Sequence, residues 1–190
     1  MGVEEVTAPF RGHQFVAITG TPAAGKSTLA AALAEAFGVN VLSAGDVARS
    51  VDDASRTTGA MAAEDSFRDE WGKRVAAHTG APLVLEGIPR KQSQVDLLPA
   101  DTLVLVLLTD QPTSLVRMYA RNRIDDGFAA DRYEAALVQF GMAGGVQEAG
   151  TWVTDLAGAG HTLRTDALTP EQVNASVLRY LSGAQDSVAG

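Results

Sequence analysis

The stretch GTPAAGKST, residues 20–28, decides how the whole chain is read. Glycine, four residues, glycine, lysine and serine follow at the spacing of a P-loop. The flanks give the setting that motif requires: the apolar run FVAI at 15–18 before it, and an alanine- and leucine-rich run after it. Gly20 and Gly25 let the backbone turn tightly and aim its N–H groups at an anion, with Ala23 and Ala24 inside the turn. A helix starting near Lys26 adds the positive end of its dipole. Lys26 brings a full charge to the outer phosphates, the Ser27 hydroxyl suits Mg²⁺, and Thr28 closes the phosphate-binding turn. A bare glycine turn between strand and helix would leave the Lys-Ser pair unexplained. The chain is therefore expected to bind ATP with Mg²⁺.

Composition narrows the partners. With 190 residues and ordinary apolar and charged fractions, the chain is expected to form a single domain over 1–190 with a core of its own. Its formal charge of −8 argues against general affinity for nucleic acid or an anionic membrane. An anionic substrate would then need a local cluster of arginines. There are no cysteines, which removes disulfides and thiolate metal sites. The first residues lack a signal peptide's basic start and apolar run, and no apolar stretch is long enough to span a bilayer. A cytoplasmic monomer or small homo-oligomer is expected.

Outward from the P-loop, strands alternate with helices. Residues 14–19 predict an apolar strand, 25–37 a helix closed by Gly38, and 39–43 a second strand. Asp46 is placed to cap a short helix through Arg49, while 52–63 carries no clear signal. Phe67, Trp71 and Val75 lie four apart within 64–78 and read as the core face of a helix. Residues 82–86 and 102–108 predict strands three and four. Helices are expected over 112–121 and 129–140, and 141–150, with four glycines, reads as a loop. Residues 161–165 predict the last strand and 170–181 the last helix, with Pro170 in its first turn. Residues 1–12 and 183–190 read as tails. Such alternation implies an α/β, three-layer P-loop NTPase fold: a five-stranded parallel sheet with helices on both faces.

Ligands on such a sheet gather at the carboxyl ends of its strands. Three clusters fall there: Asp46 and Arg49 in LSAGDVAR; Glu86, Gly87, Arg90 and Gln94 in EGIPRKQSQ; and Arg117, Arg121, Arg123, Asp125 and Asp126 after strand four. Phosphoryl transfer asks a protein chiefly to hold phosphates in line and neutralise their charge, which convergent arginines do. His13, His78 and His161 stand apart from these clusters, without metal-ligand spacing.

The order P-loop, SAGD-x-x-R, EG-x-PR-x-x-x-Q, R-x-x-x-R and R-x-DD, across residues 15–132, resembles the nucleoside monophosphate kinase family. It is most similar to the adenylate kinases. The resemblance implies that Arg49 and Arg90 grip the acceptor's phosphate and that Gln94 meets its base. It further implies that Arg117 lies against the donor base, that Arg121 and Arg123 stabilise the transferring group, and that Asp125 and Asp126 orient them. Glu86 stands where that family has aspartate and would serve Mg²⁺ through water; Ile88 and Ala44 replace a phenylalanine and a threonine. Arg132 matches a further family arginine only across a short gap. SAGD with LEG also resembles archaeal-type cytidylate kinases, which leaves the acceptor base open.

These residues lead to a kinase that moves the γ-phosphoryl group of ATP to a nucleoside monophosphate, AMP first. Residues 44–80 would form an acceptor-binding helical insertion and 121–126 a minimal lid. A kinase of a non-nucleotide metabolite or antibiotic is the alternative within enzymes. An ATP-dependent switch or assembly factor with weak ATPase activity is the alternative outside them.

Overall fold

The computed structural model describes residues 10–55, 60–78, 80–90, 92–121 and 160–183. Five strands, β1 (Phe15–Gly20), β2 (Asn40–Ser43), β3 (Leu83–Glu86), β4 (Thr102–Leu108) and β5 (His161–Arg164), form one sheet in the order β2-β3-β1-β4-β5. All four pairings are parallel. The expected fold class is the observed one.

The apolar runs become strands because both of their faces are covered. Successive side chains alternate across the sheet. Val16, Ile18, Leu103, Leu105 and Leu107 pack with Leu29 and Leu33 of α1 (Lys26–Phe37) and with Val173, Val177 and Leu181 of α5 (Pro170–Leu181). Phe15, Ala17, Leu83, Leu85, Val104 and Val106 face the other way, onto Val47 of α2 (Ala44–Ser55) and Trp71 of α3 (Ala60–Ala76). Burying each large aliphatic side chain in these layers contributes about 1.5–3 kcal/mol. Trp71 anchors α3 as its spacing predicts: it is buried, stacks on Phe67 at 5.9 Å, and donates to the Leu97 carbonyl.

Several boundaries differ from the sequence reading. α2 starts directly after β2 and runs to Ser55, well past Arg49, and α3 begins at Ala60. Residues 52–55 and 60–63 of the polar stretch are thus helical: Val47 packs α2 against the sheet, and Val51 one turn on is buried as well. A 3₁₀ segment over Gln92–Leu97 lies where no element was expected. The expected tail of residues 1–12 is anchored at its last three: Phe10 is fully buried and meets Phe37 edge-on at 5.2 Å. α4 (Gln111–Arg121) follows β4 as expected, with Asp110 capping it through the Thr113 amide at 2.8 Å. The helix expected at 129–140, the loop at 141–150 and residues 184–190 lie outside the described residues.

The histidines sit away from the carboxyl edge of the sheet. His13 is 2.8 Å from an Asp101 carboxylate oxygen. His161 opens β5 and stacks on Tyr180 at 4.2 Å, while Arg11 lies 4.8 Å from the centroid of the same ring. Burial, and secondarily the Arg11 charge, hold the His161 imidazole below its usual pKa.

Candidate active site at the carboxyl edge of the sheet

Because every strand is parallel, the segments after all five emerge at one edge. The P-loop follows β1 at the centre of the sheet. α2 and the EGIPR segment follow β2 and β3 on one side; Thr109 and Thr165 follow β4 and β5 on the other.

Gly20 turns the chain out of β1 at φ +131°, pressed against β4; a Cβ there would sit 1.8 Å from the Leu107 carbonyl oxygen. Only glycine fits. Ala23 (φ 54°) and Gly25 (φ 96°) bend the loop further, and Ala24 is buried beneath it. No side chain caps α1 at Gly25. α5 differs: Thr169 and Gln172 there form a complete capping box. The amides that open α1, with its dipole, suit an anion. Lys26 lies across the loop, its Nζ donating to the Thr21 carbonyl at 2.6 Å and the Gly20 carbonyl at 3.2 Å. Ser27 and Thr28 are exposed in the first turn of α1.

Ser27 Oγ donates to Glu86 Oε1 at 3.1 Å. Glu86, ending β3, is therefore placed beside the P-loop hydroxyl as the sequence suggests. These hard oxygens fit Mg²⁺, which binds few protein groups and keeps water and phosphate oxygens as its remaining ligands. Among the described residues no group of three or more His, Cys, Asp or Glu could hold a metal by itself.

On the β2–β3 side, Asp46 and Arg49 form an exposed ion pair in the first turns of α2. The Arg49 guanidinium lies over Gly45, where a Cβ would be 3.4 Å from its Nη1. Arg90 reaches back over Gly87, its Nε donating to the Gly87 carbonyl at 3.0 Å. A Cβ on Gly87 would lie 3.5 Å from Arg90 Nη2 and 3.8 Å from Ala44 Cβ. Ala44, Gly45 and Gly87 thus make a floor of small residues under two guanidiniums. Gln94 Oε1 accepts the Arg90 backbone N–H at 2.8 Å, which closes the turn after β3.

The other arginines divide. Arg117 is held on the β5 side, donating to the Thr165 carbonyl at 2.7 Å and to its hydroxyl at 3.2 Å. It does not join Arg49 and Arg90. Arg121 is the last residue of α4. Arg123, Asp125, Asp126 and Arg132, with most of the minimal lid expected at 121–126, lie outside the described residues.

Sequence reasoning missed a second tier. The Thr109 amide donates to Thr21 Oγ1 at 2.8 Å, and Thr21 Oγ1 is also 3.3 Å from the Thr109 carbonyl. Ser114 donates to the Pro22 carbonyl. Asp166 accepts from the Asp110 amide, from Thr109 Oγ1 at 3.1 Å and from Arg164 Nε at 3.1 Å. The Asp110 amide first, and then the Thr109 hydroxyl and Arg164, hold its carboxyl below the usual range despite partial desolvation. Ser43 was missed as well: its Oγ donates to Glu86 Oε2 at 2.9 Å. Its signal was available, since a serine ending a strand with an aspartate three residues later is a helix N-cap pattern.

Fold and site together define a P-loop nucleotide-binding protein of the three-layer α/β kind. The family model described as AAA domain matches residues 16–136, and the chain belongs to that family. A search of the curated proteins returned no match. Among solved structures, a shikimate kinase from Bacteroides thetaiotaomicron is similar at TM-score 0.65 and 16% identity, over 88% of this chain and 96% of that one. A shikimate kinase from Acinetobacter baumannii in complex with shikimate aligns at TM-score 0.60 and 16% identity, over 92% and 96%. An uncharacterized protein from Eubacterium ventriosum aligns at 0.57 and 12%, over 88% and 98%. At these identities the likeness is one of fold. Among the described residues no helix is long and apolar enough to cross a membrane.

Proposed function

We propose that the chain is a nucleoside monophosphate kinase that transfers the γ-phosphoryl group of ATP to a monophosphate acceptor, AMP in the first instance. The observation that carries this is the pair of guanidiniums, Arg49 and Arg90, over the Ala44–Gly45–Gly87 floor and after the two strands on one side of the P-loop strand. An acceptor phosphate gripped there would lie beside a donor phosphate on the Gly20–Thr28 loop, the in-line arrangement that phosphoryl transfer requires.

The roles follow from position. Gly20, Ala23, Ala24, Gly25, Ser27 and Thr28 cradle the donor phosphates, and Lys26 exchanges the carbonyls it now meets for phosphate oxygens. Arg49 and Arg90 hold the acceptor phosphate, with Asp46 orienting Arg49. Arg117 lies toward the donor base, and Arg121 and Arg123 offset charge on the transferring group. Mg²⁺, bound with ATP at Ser27 and through water at Glu86, would neutralise charge on the β- and γ-phosphates. Gln94 favours a particular class of base. Its Oε1 is taken by the Arg90 amide, so the amide offers a base its NH₂ donor. Adenine and cytosine present a ring-nitrogen acceptor at the corresponding edge, whereas guanine and uracil present an N–H.

A second reading is a kinase of a small carboxylic acid. Two guanidiniums recognise a carboxylate as well as a phosphate, and the fold is shared with a structure that holds shikimate, a carboxylate. One assay separates the two: ADP formation from ATP and Mg²⁺ with AMP, CMP, UMP, GMP, dTMP or shikimate, and with no acceptor. Turnover that depends on AMP or CMP supports the proposal. Turnover with shikimate alone replaces it by the second reading, and acceptor-independent hydrolysis overturns both in favour of a nucleotide-dependent switch.

A further inference from the structure

Both oxygens of the Glu86 carboxylate are held, and by different elements. Oε1 accepts from Ser27 in the first turn of α1, and Oε2 accepts from Ser43 at the end of β2. The sheet register explains why Ser43 is in reach. Ser43, Glu86 and Ile18 are register partners across β2, β3 and β1, so their side chains form one row. Ile18 packs into the layer that contains α1. A residue at position 43 is therefore carried to the carboxylate by strand pairing alone.

The same hydroxyl also serves α2. The Asp46 amide points at Ser43 Oγ at 3.4 Å, as expected for an N-cap and the third residue of a helix. Ser43 thus donates its proton to Glu86 and accepts at α2, using one atom for both.

A glutamate has one more side-chain torsion than an aspartate at the same place. Anchored by Ser27 alone, its carboxylate could swing about that contact and carry Oε2 away from the P-loop. A second hydrogen bond from the neighbouring strand removes that freedom. We infer that Ser43 is a positioning residue that locks the Glu86 carboxylate against the P-loop in the orientation needed to receive the nucleotide's Mg²⁺. The inference rests on the reading of Glu86 as the carboxylate that serves that ion through water. Groups that orient such carboxylates tune metal affinity without touching the metal.

The test is calorimetric titration of ATP into the full chain, with Mg²⁺ and separately with EDTA, for the wild type and for Ser43→Ala, Ser43→Gly, Glu86→Gln and Ser43→Ala/Glu86→Gln. Loss of the Ser43 hydroxyl should weaken ATP binding on the order of tenfold in Mg²⁺ and leave binding in EDTA unchanged. In the Glu86→Gln background, Ser43→Ala should change nothing further. Glycine is included because it caps helices nearly as well as serine, so a loss shared by both variants is not a capping loss. It also provides a hydroxyl-free chain if the alanine variant fails to fold.

Weakening that is equal in Mg²⁺ and EDTA overturns the inference, as does a loss seen with alanine but absent with glycine. If Mg²⁺ strengthens ATP binding in the wild type, less so in Glu86→Gln, and undiminished in Ser43→Gly, then Ser43 has no such role while Glu86 keeps its own. If Glu86→Gln retains the full Mg²⁺ advantage, the assignment of Glu86 fails and the inference about Ser43 goes with it.

Discussion

The two sides of the P-loop are built differently. On the β4–β5 side, polar contacts are buried: Thr21, Thr109, Ser114 and Thr165 are each at most 1% exposed, and each has a hydrogen-bond partner. On the β2–β3 side, Glu86 and Pro89 are tied to other strands, but the contacts of the arginines are local and open to water: Arg49 pairs with Asp46 three residues away, and both are mostly exposed. Among the described residues, Arg90 bonds only within its own turn. Satisfied buried networks rigidify a site, because leaving any member unpaired is costly. Exposed ion pairs contribute little and are easily exchanged. In the proposed kinase, the first side is a preformed mould for a constant ligand, the ATP phosphates. The second is a set of charges that can give up an internal partner for a substrate anion, as expected where an acceptor must enter and leave.

The change that should erase the distinction is Lys26→Ala, since in the proposed kinase that lysine serves the transferring phosphates whatever the acceptor. A kcat loss on the order of 10³-fold is expected, comparable to removing a strong transition-state donor, with the melting temperature nearly unchanged. Steady-state kinetics beside a thermal melt would decide it; a kcat within tenfold of wild type would remove Lys26 from the mechanism.

Arg90→Ala should expose the asymmetry directly. A fall in acceptor kcat/KM on the order of 10²-fold, near 2.7 kcal/mol, is expected, with ATP affinity unaltered because the β4–β5 side is intact. Equal losses for donor and acceptor would mean that the two sides are not separable.

Stability should show the reverse pattern. Thr21→Val keeps shape but strands the buried Thr109 amide, and about 1–3 kcal/mol of unfolding free energy should be lost. Asp46→Ala, which breaks an exposed pair, should cost no more than about 1 kcal/mol. Urea melts of the two variants sharpen the comparison: similar losses would show that burial does not distinguish the sides.

This asymmetry also governs what the sequence reveals. The P-loop, Asp46, Arg49, Glu86, Arg90 and Gln94 were legible because each belongs to a short motif whose spacing is dictated by one turn of chain. The strands were legible because two-sided burial leaves unbroken apolar runs at 15–18 and 102–108. The Thr21–Thr109 and Ser43–Glu86 bonds were not, because each joins common hydroxyl residues or acids 88 and 43 positions apart. Only the strand order brings them together. α2 was underestimated for a related reason: Asp52 and Asp53 open a polar stretch with no clear signal, and burial of Val47 and Val51 outweighs the weak helix preference of the two aspartates. Phe10 gave no signal, since a lone aromatic in a polar terminus shows its burial only once Phe37 is in place.

The smallest effect sought is also the most specific to the β4–β5 side. Asp166→Asn keeps an oxygen for the Asp110 amide and Thr109 but removes the negative charge, so about 1 kcal/mol of stability should be lost at neutral pH. The sign of its pH dependence is fixed. The native carboxyl is held below its ordinary pKa, so the stabilisation is complete above the unfolded value of about 3.9. It disappears as pH falls through the lower, native value. Wild type and variant should therefore differ at pH 7 and converge at a pH below that native value, where both side chains are neutral. Denaturant melts at the two pH values measure the gap. A gap that persists or widens in acid would show that the carboxylate charge is not what ties β5 to the start of α4, and the preformed side would then rest on its threonines alone.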